Sequence, residues 1–176
     1  YTCACCPPNV VRLLMSLGKY LWSETEDGVY SHIPAGAEAH FDKMDVTVES
    51  NYPWDGRVTY HITGKTEEET ILGIHIPSWV RPGSVQVRIN GKVKDITTDV
   101  EKGYLILKRV WENDEVELVF PMKIRKIYAN LKVREDAGCV AFMRGPMVYC
   151  FEGVDNLGLL QSYHIFEDAK MEEEVC

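Results

Sequence analysis

Clusters of lysine and arginine are missing from this sequence: 19 basic residues are outnumbered by 27 acidic ones, for a formal charge of −8 over 176 residues. Neutralising phosphates needs a basic patch, so neither nucleic acid nor a membrane surface is expected as a partner. No apolar run approaches the roughly 18 residues that span a bilayer, and the first residues lack the basic-then-apolar layout of a signal peptide. Internal repeats and low-complexity tracts are absent as well. There is no initiator Met: the chain opens at Tyr1 directly in a Cys-rich motif and finishes on Glu172-Glu173-Glu174-Val175-Cys176 without a closing element. It reads as a piece of something longer. What is present, 45% apolar residues, is enough for one ordinary core and somewhat more.

The six cysteines are unevenly spread. Cys3, Cys5 and Cys6 crowd the start, while Cys139, Cys150 and Cys176 are scattered. Disulfide frameworks belong to short secreted domains that cannot build a core, and neighbours such as Cys5 and Cys6 are poor partners for a bridge. Metal binding or thiol chemistry suits the first cluster better.

From Asn9 to Trp22 the pattern is helical, with Val10, Leu14, Leu17 and Leu21 at three- and four-residue steps, Pro7 and Pro8 before it and Gly18 inside it. After Asp27-Gly28 the sequence reads as strands. Met44, Val46 and Val48 alternate with polar residues, as do Val58, Tyr60 and Ile62, and Ile71 to Ile76 continues the theme. Val85, Val87 and Ile89 lead into Asn90-Gly91, a dipeptide that adopts positive φ cheaply in a hairpin turn. Tyr104 to Leu107 and Val116 to Phe120 complete an antiparallel β-sandwich, and Gly138 to Phe151 supplies two strands of a further β unit too short to close alone.

Cys-Ala-Cys-Cys-Pro-Pro-Asn puts two thiols just before a helix N-terminus, where free amides and the helix dipole favour thiolate, the form that acts as nucleophile and as zinc ligand. The alternative is that small cysteines pack where the helix meets its neighbours. No second Cys/His pair lies nearby to complete four ligands, so any metal must borrow them from outside the chain. Asp55 could serve as a catalytic acid, but Asp-Gly is a turn dipeptide. His32, His40, His61, His75 and His164 stand singly, in structural contexts. Trp54, Trp79 and Trp111 could stack on sugars, yet a sandwich core also needs large aromatics.

Several separated motifs together carry a resemblance: Cys5-Cys6-Pro7-Pro8-Asn9 with Arg12 and Leu13-Leu14, Tyr52-Pro53-Trp54-Asp55-Gly56, Ile76-Pro77-Ser78-Trp79, Asn90-Gly91, Trp111 with Asp114, and Arg144-Gly145-Pro146-Met147-Val148-Tyr149. In this order they resemble the β-L-arabinofuranosidase family, glycoside hydrolase family 127. One departure is Trp111-Glu112-Asn113-Asp114, where the family commonly has Trp-x-Gly-Asp. The resemblance implies a mainly β fold with three parts: residues 1–22 closing an (α/α)6 barrel with one helix, residues 23–127 forming an antiparallel β-sandwich, and residues 128–176 starting a second one. It also implies a retaining exo-glycosidase acting on carbohydrate, with Cys5 as nucleophile and zinc ligand and Cys6 as zinc ligand. The Glu-x-Cys pair that completes the zinc shell, and the acid/base glutamate, would lie upstream. The isolated chain is accordingly expected to be inactive, and Cys3 either lines the same pocket or packs behind it. A homodimer of the parent protein is a further expectation, and thiolate zinc chemistry favours the cytoplasm. Two other readings stand beside this one: a non-catalytic carbohydrate-binding or interdomain β-sandwich, and a thiolate zinc module without sugar chemistry.

Overall fold

The structure, a computed structural model, describes residues 4–173. It divides into two compact units, Tyr1–Pro121 and Met122–Cys176. In the first, helix α1 (Cys6–Met15) and the single turn α2 (Gly18–Leu21) lead into β1 (Trp22–Thr25). The helix expected over Asn9–Trp22 is therefore shifted and broken: it takes in Cys6, Pro7 and Pro8, and Trp22 opens a strand. The break falls at Ser16, whose hydroxyl donates to the carbonyls of Arg12 (2.9 Å) and Leu13 (3.1 Å) and competes with the helical ladder there.

Ten further strands follow: β2 (Gly28–Ser31), β3 (Ala37–His40), β4 (Asp45–Ser50), β5 (Arg57–Thr63), β6 (Thr70–His75), β7 (Gln86–Ile89), β8 (Lys92–Lys94), β9 (Val100–Glu101), β10 (Tyr104–Arg109) and β11 (Glu115–Val119). They form a five-stranded sheet, β1-β2-β6-β10-β9, and a six-stranded sheet, β3-β4-β5-β11-β7-β8. The alternating residues point as expected: Val46, Val48, Val58, Tyr60 and Ile62 are buried and join Val29, Leu72, Ile74 and Leu105 of the other sheet in one core. The pairing is antiparallel except between β2 and β6, which run parallel.

One polar link crosses this core. The Ser31 and Tyr60 hydroxyls, from opposite sheets and both buried, lie 3.0 Å apart, and burial pushes the Tyr60 phenol far above its ordinary pKa. At one end, Asp114 ties two turns together. Its carboxylate accepts from Asn90 Nδ2 at 2.6 Å and from the Glu112 amide at 3.0 Å, with the Arg109 guanidinium at 3.4 Å. Asn90 and Gly91 both hold positive φ, 49° and 74°, as the hairpin requires. Asn113 sits at φ 51°, a conformation asparagine tolerates better than most residues.

In the second unit, β12 (Ile124–Ile127), β13 (Ala141–Arg144) and β14 (Met147–Tyr149) form an antiparallel three-stranded sheet. Pairing of Ile124 with Arg144 and of Ile127 with Ala141 brings residues 124–127 into this sheet, although their sequence pattern continues that of the sandwich. Arg125 Nη2 donates to the Gly145 carbonyl at 3.0 Å and so braces the Arg144-Gly145-Pro146 turn.

Candidate active-site segment

Cys5 occupies the N-cap of α1 with helical backbone angles, φ −72° and ψ −36°, and Cys6 begins the helix. The two sulfurs are 3.6 Å apart, both residues are exposed, and both thiols are free. Two residues brace this turn. Asn9 Nδ2 donates to the Cys5 carbonyl at 2.6 Å, and Arg12 Nη1 donates to Asn9 Oδ1 at 3.2 Å. The Asn and Arg of the motif thus fix the Cys5 peptide from one turn further along the helix.

The electrostatic setting differs from the sequence expectation in one respect. Prolines fill the first helical turn, and a proline carries no N–H, so two of the amides that ordinarily face an anion at a helix start are missing. A negative charge on these sulfurs would need another source of stabilisation, such as a cation. The spacing fits one: tetrahedral zinc with Zn–S bonds of about 2.3 Å places its sulfur ligands about 3.8 Å apart, close to the separation seen here. Among the described residues no group of three or more His, Cys, Asp or Glu side chains could hold a metal ion, so a metal on Cys5 and Cys6 would need ligands from elsewhere. Cys3 lies outside the described residues.

The other sequence candidates are placed in the framework. Asp55 Oδ1 accepts from the Arg57 amide at 3.0 Å, a turn-forming role. Trp111 is fully buried, its Nε1 donating to the Thr70 carbonyl at 2.8 Å and the Arg109 guanidinium lying 5.4 Å from its ring centre. Trp79 is half-buried against Phe120, with ring centres 6.3 Å apart. Trp54, by contrast, is 66% exposed. His40 pairs with Asp45 at 2.9 Å, and His61 stands between Glu49 (3.6 Å) and Glu115 (3.7 Å).

His32 belongs to a cluster that the sequence did not signal. Its Nδ1 is 2.7 Å from the Tyr104 hydroxyl and its Nε2 3.0 Å from Ser23 Oγ, while His75 and Tyr30 also pack their rings against Tyr104. Partial burial and then the neighbouring His75 lower the His32 pKa below its ordinary 6.5. The β2–β6–β10 pairing that assembles this group joins residues 29 to 43 positions apart, which strand alternation alone does not reveal.

No described helix is long and apolar enough to cross a membrane.

Comparison with known proteins identifies two family segments. Residues 28–122 match the "Beta-L-arabinofuranosidase, GH127 middle domain", and residues 124–175 match the "Glycoside hydrolase family 127 C-terminal domain". A non-reducing end β-L-arabinofuranosidase of Bifidobacterium longum subsp. longum is 38% identical over 172 residues, which is 94% of this chain and 26% of that protein. Among solved structures, a GH127 β-L-arabinofuranosidase from Geobacillus stearothermophilus T6 superposes with a TM-score of 0.79 at 43% identity, covering 89% of this chain and 25% of that one. A second GH127 β-arabinofuranosidase gives 0.78 at 38% identity, covering 89% and 27%. The chain spans about a quarter of the length of each of these relatives.

Proposed function

Because the chain belongs to glycoside hydrolase family 127, we propose that it is the C-terminal portion of a retaining exo-glycosidase that hydrolyses β-L-arabinofuranosides or related plant-type glycans through the Cys5 thiolate. The observation that carries this reading is the Cys5–Cys6 pair: two adjacent free thiols, 3.6 Å apart at a helix start, with the Cys5 carbonyl held by Asn9. Zinc bound by both sulfurs would keep them deprotonated and offset the charge that the proline-filled turn leaves uncompensated.

Cys5 Sγ attacks the anomeric carbon, and the bond to the departing sugar oxygen breaks as that oxygen takes a proton from an acid elsewhere in the longer protein. Water then attacks the same carbon. The C–S bond breaks, the thiolate is restored, and the water proton returns to the carboxylate. Two inversions at one carbon retain its configuration, with sulfur in the place usually held by a carboxylate. Asn9 and Arg12 serve by fixing the Cys5 backbone, since a nucleophile displaced by an ångström loses much of its rate.

The helix that carries these cysteines supports the view that it closes a larger helical domain. Val10, Val11, Leu13, Leu14 and Met15 are all more than half exposed, an apolar surface of the kind that ordinarily lies against a core.

Hydrolysis of an aryl β-L-arabinofuranoside tests the proposal. The 176-residue chain should show no turnover, and the longer enzyme carrying Cys5→Ser should lose at least about a thousandfold in kcat. Zinc-dependent turnover by the 176-residue chain, or an active Cys5→Ser enzyme, refutes it.

A further inference from the structure

Two thiols on adjacent residues carry a hazard along with their chemistry. When no cation separates them, loss of two hydrogens joins their sulfurs, and a nucleophile closed in this way attacks nothing. Cys5 and Cys6 hold their sulfurs 3.6 Å apart, well beyond the bond length of about 2.0 Å that a disulfide takes. Consecutive Cα atoms across a trans peptide such as theirs are about 3.8 Å apart, whereas disulfide-linked Cα atoms ordinarily lie about 4.4–6.8 Å apart. A bridge between neighbours therefore forms only if the peptide that joins them twists or turns over.

In this chain the oxygen of that peptide is the Cys5 carbonyl, and it is tied down: Asn9 Nδ2 donates to it at 2.6 Å. Asn9 is steered in turn. Arg12 Nη1 donates to its Oδ1 at 3.2 Å, which keeps the amide nitrogen, the only donor of that side chain, turned towards Cys5. Pro7 and Pro8 restrain the peptide from its other side, since each ring fixes its own φ and Pro7 narrows the angles open to Cys6 before it. With Cys5 itself at φ −72° and ψ −36°, the Cys5–Cys6 peptide is clamped at both ends. The clamp separates two outcomes. Tetrahedral zinc takes its sulfurs about 3.8 Å apart and asks for almost no movement, whereas a disulfide asks for the movement that Asn9 opposes.

We propose that Asn9, oriented by Arg12, is a redox guard: it keeps Cys5 and Cys6 open as a dithiol when no metal holds them, so that the pair stays ready for the ion instead of closing on itself. That this readiness serves catalysis rests on the reading above of Cys5 as the nucleophile. The oxidation that is resisted needs a low-molecular-weight disulfide as its oxidant. The two thiols give up two hydrogens and become one S–S bond, while the oxidant RSSR is reduced to two RSH. Attachment of a single RS group to Cys5 or Cys6 remains open, because a mixed disulfide requires no turn of the peptide.

Treating the metal-free 176-residue chain with oxidised glutathione and mapping its tryptic peptides by mass tests the proposal. In a Cys3→Ser background, Cys5 and Cys6 are the only thiols up to the cleavage site at Arg12, so loss of two hydrogens from peptide 1–12 reports their bridge alone. With Asn9 in place this peptide should carry glutathione but little bridge. Asn9→Ala should raise the bridged fraction about fivefold, the equivalent of one modest hydrogen bond. Asn9→Asp should raise it as much, although it keeps a partner for Arg12 and puts an acid near the helix start, where negative charge favours the helix. That variant separates the donated hydrogen bond from helix integrity. Equal bridging with asparagine, alanine and aspartate overturns the proposal, as does a bridge that forms as fully in the folded chain as in the free peptide 1–12. Turnover plays no part in this readout: an active Cys5→Ser enzyme refutes the mechanism and leaves the guard standing, whereas equal bridging removes the guard alone.

Discussion

Replacing Tyr60 by phenylalanine removes a single oxygen from the middle of the first unit and leaves the Ser31 hydroxyl buried without its partner across the two sheets. An unsatisfied buried hydroxyl costs about 1–3 kcal/mol, and Ser31→Ala should cost a similar amount by stranding the phenol. The double variant strands neither group. It should therefore be less destabilised than the sum of the single variants, with a coupling of about 1–2 kcal/mol, as expected for groups that share one hydrogen bond. Urea unfolding followed by tryptophan emission measures this cleanly. All four tryptophans lie in the first unit, and the Trp22 ring centre is 6.1 Å from that of Tyr60, so the signal reports the sandwich. Strictly additive losses would mean that the two hydroxyls do not depend on each other, and the inter-sheet link would have to be abandoned.

The His32 cluster predicts a pH dependence. Because the folded state lowers the His32 pKa, the unfolded chain takes up its proton first; the stability this group contributes is full above pH 6.5 and is lost as pH falls through the lowered folded value. His32→Gln should flatten the rise in urea midpoint between pH 5 and 7.5, and an unchanged slope refutes the assignment. At Asn113, with φ 51°, glycine should be accepted with little change, whereas Asn113→Val should lower stability by about 1–2 kcal/mol in the same unfolding assay.

Much of the sandwich is legible in the sequence because the inside of a strand repeats every second residue. Val46 and Val48, or Val58, Tyr60 and Ile62, can point inward together only as a strand. Asn90-Gly91 is legible for a local reason too, since few dipeptides hold two positive φ angles cheaply. Features that depend on distant partners are not. The parallel β2–β6 pairing and the bond from Ser31 to Tyr60 join segments whose local patterns carry no mark of each other. The broken helix was hidden for the opposite reason: its apolar stripe runs on past Ser16 to Trp22, while the Ser16 hydroxyl turns back on the Arg12 and Leu13 carbonyls where α1 stops. At the candidate site, the residue types of Cys5 and Cys6 raised the expectation of thiolate chemistry, but their brace by Asn9 and Arg12, and the amides removed by Pro7 and Pro8, emerge only from the geometry.

The order in which the strands are laid into the two sheets limits how this part of the protein can be cut and moved. The chain crosses repeatedly between layers: β5 lies in one sheet, β6 in the other, β7 and β8 return to the first, and β9 and β10 cross back. Last comes β11, which fills the gap between β5 and β7 in the middle of the six-stranded sheet. Until Val119 is in place that sheet is two separate ribbons with open edges. The sandwich is thus a cassette with no internal seam. Recombination or a change of domain partner can preserve it only at junctions ahead of Trp22 or beyond Pro121, and a ribosome must release Val119 before the six-stranded sheet can close.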